Sequence, residues 1–283
     1  MSGGQHPSPG TLFLVGTPIG NLGDITARAL DTLRRVSVVA AEDTRRTRAL
    51  LTHFGIEHKR LVHVDANASE KTLARVLAVL EQGTSVALVT DAGMPTVSDP
   101  GAELVRRARE RGFAVDVIPG PSAVTCAIAL SGFGDSGFRF LGFLPRKGKK
   151  RTSALQQIAD TPECVVLFEA PGRAAGTVRD LAAREPSRSV AVCRELTKLH
   201  QEAITGTLAE VALAVEELRG EVTLVLGPAP RRDEAPDADQ LAARIDDLLA
   251  EGLSSKEVAR RLAAEYGLSA RELYARIVAR PKG

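Results

Sequence analysis

The chain contains no tryptophan, two tyrosines, two methionines and three cysteines in 283 residues. Cys126, Cys164 and Cys193 are odd in number and widely spaced, with no Cys-x-x-Cys. Neither a disulfide framework nor a cysteine zinc site is expected, and no metal is; buried thiols in a reducing cytosol are the simplest reading. No run of 18 apolar residues occurs, so no membrane-spanning helix is expected. The opening MSGGQHPSPG lacks a basic n-region and leads into only a short apolar run, Leu12 to Val15. It does not read as a signal peptide, and a cytoplasmic location is expected. A charge excess is also missing: 37 Lys and Arg stand against 35 Asp and Glu, for a net charge of +2. A nucleic-acid partner therefore has to be sought in where the cations sit. Arg outnumbers Lys by 29 to 8, which fits either codon bias beside abundant Ala or a preference for phosphate contacts.

What is present is ordinary for a globular protein: 44% hydrophobic and 25% charged residues. The length suits one large domain or two to three modest ones. Residues 1–10 read as a flexible tail. From 11 to 119 strand and helix patterns alternate. TLFLVG, VSVVAAED, TSVALVTDAG and FAVDVIPG are the strands, and the helices run through Ala29 to Val36, Thr44 to Phe54, Glu70 to Gly83 and Ala102 to Gly112. Such alternation predicts a mostly parallel sheet covered by helices on both faces. From 120 to 228 a small-residue helix (Ser122 to Leu130) precedes FRFLGFL, ECVVLFEA, SVAVCREL, QEAITGTL and EVTLVLGP, with one clear helix at Arg173 to Arg184. This predicts a second α/β domain with a mixed sheet. Residues 229–239 read as a Pro- and Asp-rich linker. Residues 240–283 read as helices with a helix-turn-helix rhythm around Gly267, Leu268 and Ser269.

Three loops carry chemical content. VGTPIGNLGD, residues 15–24, follows the first strand with Gly16, Gly20 and Gly23. It is neither G-x-G-x-x-G nor a Walker loop, so it is either a ligand-approaching backbone or a tight strand-to-helix turn. VTDAGMPTVSDPG, residues 89–101, puts Asp91 and Asp99 at the carboxyl edge of the sheet, where ligands bind in open α/β sheets. Asp99, before Pro100 and a helix, reads as an N-cap with Pro at N1; Asp91 has no such role. IPGPSA, residues 118–123, makes a rigid turn in which Ser122 either caps a helix or holds a ligand at a domain junction.

GTPIGNLGD, AEDTRRT (41–47), TDAGMPTVSDPG, IPGPSA, FLPRKGKKR (143–151) and RELTKLHQE (194–202), in this order, resemble the small-subunit ribosomal RNA cytidine 2′-O-methyltransferases of the tetrapyrrole methylase superfamily. The resemblance runs from about residue 11 to 279. It implies two α/β domains of tetrapyrrole-methylase type with S-adenosylmethionine in the cleft between them, a small C-terminal helical segment, a homodimer, and methyl transfer to a ribose 2′-hydroxyl of 16S rRNA or the small ribosomal subunit. Position by position it implies Pro18, Asp91, Ala92, Gly93, Pro95 and Ser122 at the cofactor. Backbone near Phe168, Glu169 and Val222 to Pro228 would hold the adenosine.

Beside that resemblance stands the residues' own chemistry. A ribose hydroxyl is a poor nucleophile until its proton leaves, so a base, or a cation lowering its pKa, is needed. Glu42, Asp43, Glu169, Glu195 and Lys198 are the candidates, with Glu42, Asp43 and Lys198 foremost, and the residues do not choose among them. Arg45 and Arg46 could hold phosphate or neutralise the acids. Asp43 also reads as an N-cap, and Lys198 as a surface lysine. Arg146, Lys147, Lys149, Lys150 and Arg151 form the densest basic run and read as an RNA contact. Phe138, Phe140 and Phe143 before it alternate as strand core. Arg106, Arg107, Arg109 and Arg111 read as a solvated helix face. Lys256, Arg260, Arg261 and Arg271 either add RNA contacts or simply face solvent. Rival readings on the same sequence are methylation of a tetrapyrrole or other small molecule, an RNA-binding assembly factor without catalysis, and a metal hydrolase using Asp91 and Asp99.

Overall fold

The computed structural model of the chain describes residues 9–229, 238–266 and 269–279. Most of the expected tail and linker, and Gly267 and Leu268 of the helix-turn-helix reading, lie outside these residues. The chain divides into two compact units, Met1–Pro228 and Ala229–Gly283.

In the first unit, strands and helices alternate from the start. β1 (Leu12–Val15), α1 (Ala27–Arg35), β2 (Val38–Ala41), α2 (Thr44–His53), β3 (Arg60–His63), α3 (Glu70–Glu81), β4 (Val86–Val89), α4 (Ala102–Glu110) and β5 (Val115–Ile118) follow in order. The sheet runs β3-β2-β4-β1-β5 and is wholly parallel. Side chains alternate across it. Val38, Ala40, Val86 and Leu88 pack on α3 and α4, whereas Val39, Ala41, Ala87 and Val89 pack on α1 and α2. Both faces are thus buried, which is why β2 and β4 are unbroken apolar runs. β3 was not foreseen as a strand: it is an edge strand with Val62 alone fully buried, too little apolar pattern to register.

The second sheet is mixed. It is built from β6 (Phe138–Phe143), β7 (Cys164–Glu169), β8 (Ser189–Arg194), β9 (Glu202–Thr207) and β10 (Val222–Leu226), in the order β6-β7-β10-β8-β9. Only β6 and β7 are parallel; the other pairs are antiparallel. α5 (Ala123–Ser131) packs on one face together with Ile19 from the first loop. α6 (Gly148–Ala159), α7 (Pro171–Ala182) and α8 (Leu208–Ala214) cover the other. One helix was foreseen between these strands and three are present. α6 buries only Leu155 and Ile158 behind a cationic start, and α8 is seven residues held by a Thr207–Glu210 capping box. Below the sheet Arg188 is fully buried and donates to the carbonyls of Gly227, Ile158, Thr161 and Glu163 and to the Glu185 carboxylate.

The second unit holds α9 (Ala238–Ala250), α10 (Ser255–Tyr266) and α11 (Ala270–Val278) around Leu241, Ile245, Leu248, Val258, Leu262, Leu273 and Ile277. Leu249, next to Leu248, is 36% exposed. Among the described residues no helix is long and apolar enough to cross a membrane.

Candidate active site

β1 and β4 are neighbours, and the loops that leave their carboxyl ends are tied together. The Thr17 amide donates to the Gly93 carbonyl at 2.9 Å, the Gly93 amide returns the bond to Thr17 at 3.1 Å, and the Thr17 hydroxyl reaches the Thr90 carbonyl at 3.1 Å. The turn after β5 closes on them. A Cβ built on Gly16 would lie 2.7 Å from the Cα of Gly120, so two bare backbones touch there and the glycines are required. The three loops singled out in the sequence therefore meet at one sheet edge.

They form one wall of a cavity of about 340 Å³ whose opposite wall belongs to the second sheet. Ile19, Ala92, Gly93, Met94 and Ser122 face Phe143, Phe168, Leu196 and Val222 across it. Thr96 and Ser98 in the loop after β4 are held at φ of 73° and 61°, conformations that β-branched and polar residues rarely adopt and that concentrate at functional sites. Of the expected cofactor residues, Ala92, Gly93, Ser122, Phe168 and Glu169 line this cavity. Ser122 precedes α5 but makes no side-chain cap. Pro95 is buried and lines neither this cavity nor the next. Pro18 and Asp91 face an adjoining hollow of about 470 Å³.

The two spaces share Ile19, Ala92 and Glu221. Arg46, His53, Thr90, Asp91 and Lys198 also line the second. Lys198 donates to Glu195 at 2.9 Å and to Glu221 at 3.1 Å, while the Glu221 amide donates to Glu195 at 2.9 Å. Burial works against the Lys198 charge, but these carboxylates outweigh it and leave the ammonium pKa above its ordinary value. Of its two expected roles, base or cation, the structure favours the cation. The chain around it is strained, with Glu195 and Thr197 at φ of 50° and 65°. Its stem lies against Gly20, where a Cβ would come within 2.5 Å of the Lys198 Cγ.

The acids separate by environment. Asp43 caps α2, accepting from the amides of Arg45 and Arg46. Hydrogen bonds from the Arg45 side chain and amide hold its pKa at about 2, a poor setting for the foreseen base. Glu42 accepts from the Thr90 hydroxyl at 2.7 Å and the Asp91 amide at 3.3 Å. Asp91 accepts from the Asp43 amide at 3.1 Å and pairs with Arg46 at 3.3 Å; burial, then Glu42, raises its pKa. Asp99 is not the N-cap that the sequence suggested. Gly101 takes that position, and Asp99 lines the cavity instead. Burial first, then the Glu42 charge, lift its pKa to about 6.

Three readings on the second sheet meet surroundings the sequence did not show. Glu169 is buried and saturated: the Ala170 amide and Thr177 hydroxyl donate to it, and Arg151 and Arg173 pair with it. Its carboxylate is engaged by these partners, while its segment borders the cavity. Arg151 is correspondingly drawn inward, 15% exposed, and bonded to Thr177 at 3.0 Å and Asp180 at 2.9 Å. It braces α7 from within, unlike the other cations of the run. Arg146, Lys147, Lys149 and Lys150 are exposed at the start of α6. Among the described residues none of these four pairs with an acid. Arg45 is exposed and bound to Asp43 at 3.1 Å. Phe138 and Phe143, foreseen as core, are 46% and 60% exposed. A bulge between Phe140 and Phe143 breaks the alternation, and Phe143 turns toward Phe168, with ring centroids 5.5 Å apart. Of the arginines read as a solvated helix face, Arg106 pairs with Glu103 and Glu110, Arg107 with Glu70 and Glu103, and Arg111, just past α4, with Glu81. In the second unit Lys256, Arg260, Arg271 and Tyr274 line a shallow groove. Met94 and Leu196 lie inside quoted motifs but were not singled out there, Glu221 lies just before the last strand, and Asp99 was misread because its Asp-Pro-Gly context suggested a cap.

A family model described as tetrapyrrole (corrin/porphyrin) methylases matches residues 11–212. The chain is 47% identical over 219 residues to a ribosomal RNA small subunit methyltransferase I from Thermotoga maritima, covering 77% of this chain and 98% of that one. It is 39% identical over 276 residues to a protein of the same name from Halalkalibacterium halodurans, covering 95% of both. Among solved structures, a diphthine synthase superposes with a TM-score of 0.61 at 18% identity, over 77% of this chain and 90% of that one. A Thermus thermophilus uroporphyrin-III C-methyltransferase, solved with S-adenosylhomocysteine, gives 0.55 at 22% identity, over 77% and 97%. These two likenesses establish the fold: two α/β sheets with helices.

Proposed function

The chain belongs to the tetrapyrrole (corrin/porphyrin) methylase family, and from that premise we propose that it transfers the methyl group of S-adenosylmethionine to a ribose 2′-hydroxyl of a cytidine in 16S ribosomal RNA. It is an S-adenosylmethionine-dependent ribosomal RNA methyltransferase, like the relatives that carry that name. The observation that carries the finer reading is the pairing of two spaces across Ile19, Ala92 and Glu221, one largely apolar, one lined by cations and acids.

The donor fits the first space. Phe168 offers an aromatic face, Ser122 a hydroxyl unused in capping, and Ala92 and Gly93 a backbone that can be approached closely. Bound there, S-adenosylmethionine supplies an electrophilic methyl on a sulfonium. The second space would take the ribose. Arg46 and Lys198 supply positive charge for the neighbouring phosphate and for the hydroxyl as it loses its proton, and Asp91 or bulk water takes that proton. Positioning alone can lower such a barrier by ~7–11 kcal/mol in ideal cases. Arg146, Lys147, Lys149 and Lys150, unpaired with any acid among the described residues, follow Phe143 of the donor-cavity lining and suit a strand of RNA carried past it. The homodimer implied by the resemblance belongs to the same reading and is checked by sedimentation velocity.

The test is transfer of labelled methyl from S-adenosylmethionine to 16S rRNA, or to small subunits, prepared without the mark. The label should map to one cytidine and protect the adjoining phosphodiester from alkaline cleavage. Label on a base, or on no RNA, overturns the reading.

A further inference from the structure

Three acids line the donor cavity: Asp99, Glu169 and Glu221. Two are already neutralised. Glu169 is held by Arg151 and Arg173, and Glu221 pairs with Lys198 at 3.1 Å. Asp99 has no such partner among the described residues. Its charged neighbours are Glu42 and Asp91, both acids, and the Thr90 hydroxyl close to it is already donated to Glu42 at 2.7 Å. The rest of the lining is apolar or uncharged. An apolar cavity with one uncompensated carboxylate is complementary to a cation.

The position of Asp99 narrows which cation. It lines the donor cavity together with Ala92, which the adjoining hollow shares, and its neighbours Thr90 and Asp91 line that hollow. Asp99 therefore lies on the side of the donor cavity from which the methyl group must leave. The left-handed Ser98 just before it, packed against the left-handed Gly142 of β6, fixes the carboxylate in place rather than leaving it on a pliant loop.

We infer that Asp99 is the residue by which this site distinguishes the methyl donor from the spent product, its carboxylate facing the sulfonium charge that S-adenosylmethionine carries and S-adenosylhomocysteine lacks. The inference rests on the donor reading of the cavity. Transfer turns the sulfonium into a neutral thioether, the carboxylate loses its counter-charge, and the product is released from a wall that no longer pairs with it.

Calorimetric titration of the full chain with S-adenosylmethionine and with S-adenosylhomocysteine tests this. Asp99→Asn should weaken donor binding about tenfold and leave product binding within about twofold, and Asp99→Glu should restore part of the preference. Equal loss for both ligands means contact with the α-ammonium they share and overturns the inference; so does no change in either. Wild-type protein that binds neither ligand fails the donor reading itself, a separable result. A wild-type series stands independently of the variants. The groups facing Asp99 are Glu42 at the end of β2 and Thr90 and Asp91 after β4, with Arg46 of α2 beyond Asp91. Lowering the pH through about 6 should shrink the donor-over-product ratio as Asp99 takes up its proton. A ratio constant from pH 5 to 8 contradicts the assignment.

Discussion

Asp99 shows how environment decides what one carboxyl does. Its pKa of about 6 lies above the ordinary 3.8, because burial and neighbouring acids penalise its charge. Between those values the folded chain binds more protons than the unfolded one, so this group's contribution makes stability fall as pH rises from about 4 to about 6. Asp43, held at about 2 by Arg45, acts in the opposite sense and in a lower window. Asp99→Asn is therefore expected to flatten the stability profile between pH 4 and 6 and to leave the ligand-free protein more stable above pH 6, as read by denaturant unfolding across pH. Gly16 makes a different demand. An alanine methyl there would lie 2.7 Å from the Gly120 Cα and 2.7 Å from the Met94 sulfur. Gly16→Ala should cost on the order of 1–3 kcal/mol and weaken donor binding, because the turn that must shift carries Ser122. The glycines were legible in the sequence as places where backbone approaches something. That the something at Gly16 is another backbone was not, since the contact joins residues 104 apart. Arg151 and Glu169 were misread for the same reason: a basic run and an acid at a strand end have typical surface roles, and only the fold shows that they bond to each other.

At the level of elements, the alternation of apolar runs and amphipathic segments was enough to foresee a parallel sheet followed by a mixed one. Elements that bury little were harder to see. β3 buries one residue fully, and α6 opens on cations at a helix end where positive charge is unfavourable. That second fact yields a discriminating prediction. Lys149→Glu with Lys150→Glu replaces cations by acids at the start of a helix, where the dipole favours them. The melting temperature should hold or rise slightly. RNA affinity should fall, and the slope of log affinity against log salt should become shallower by up to about two phosphate contacts. Donor affinity, measured in parallel, should stay unchanged. Loss of folding or of donor binding would count against α6 as a peripheral RNA contact.

For the whole molecule, the first unit contains both sheets and both spaces of the site, whereas the helical unit has its own core. The Thermotoga maritima relative is almost fully covered by 219 matched residues, so it is shorter than this chain by about the size of the helical unit. Deleting residues 229–283 should therefore leave donor affinity unchanged and preserve some transfer, with any loss falling on KM for the RNA or subunit rather than on kcat. Steady-state kinetics with the truncated chain checks this. Loss of donor binding would place part of the site outside the two sheets.

The central claim is that the methyl donor occupies the apolar cavity between the two sheets, beside the cation-lined hollow. A crystal structure of the chain with S-adenosylhomocysteine tests it most directly. Adenosine is expected against Phe168 and Val222, and the thioether sulfur on the side of Ala92 and Asp99, facing the space lined by Lys198 and Arg46. Density for the product elsewhere on the molecule, or with its sulfur turned away from that space, would contradict it.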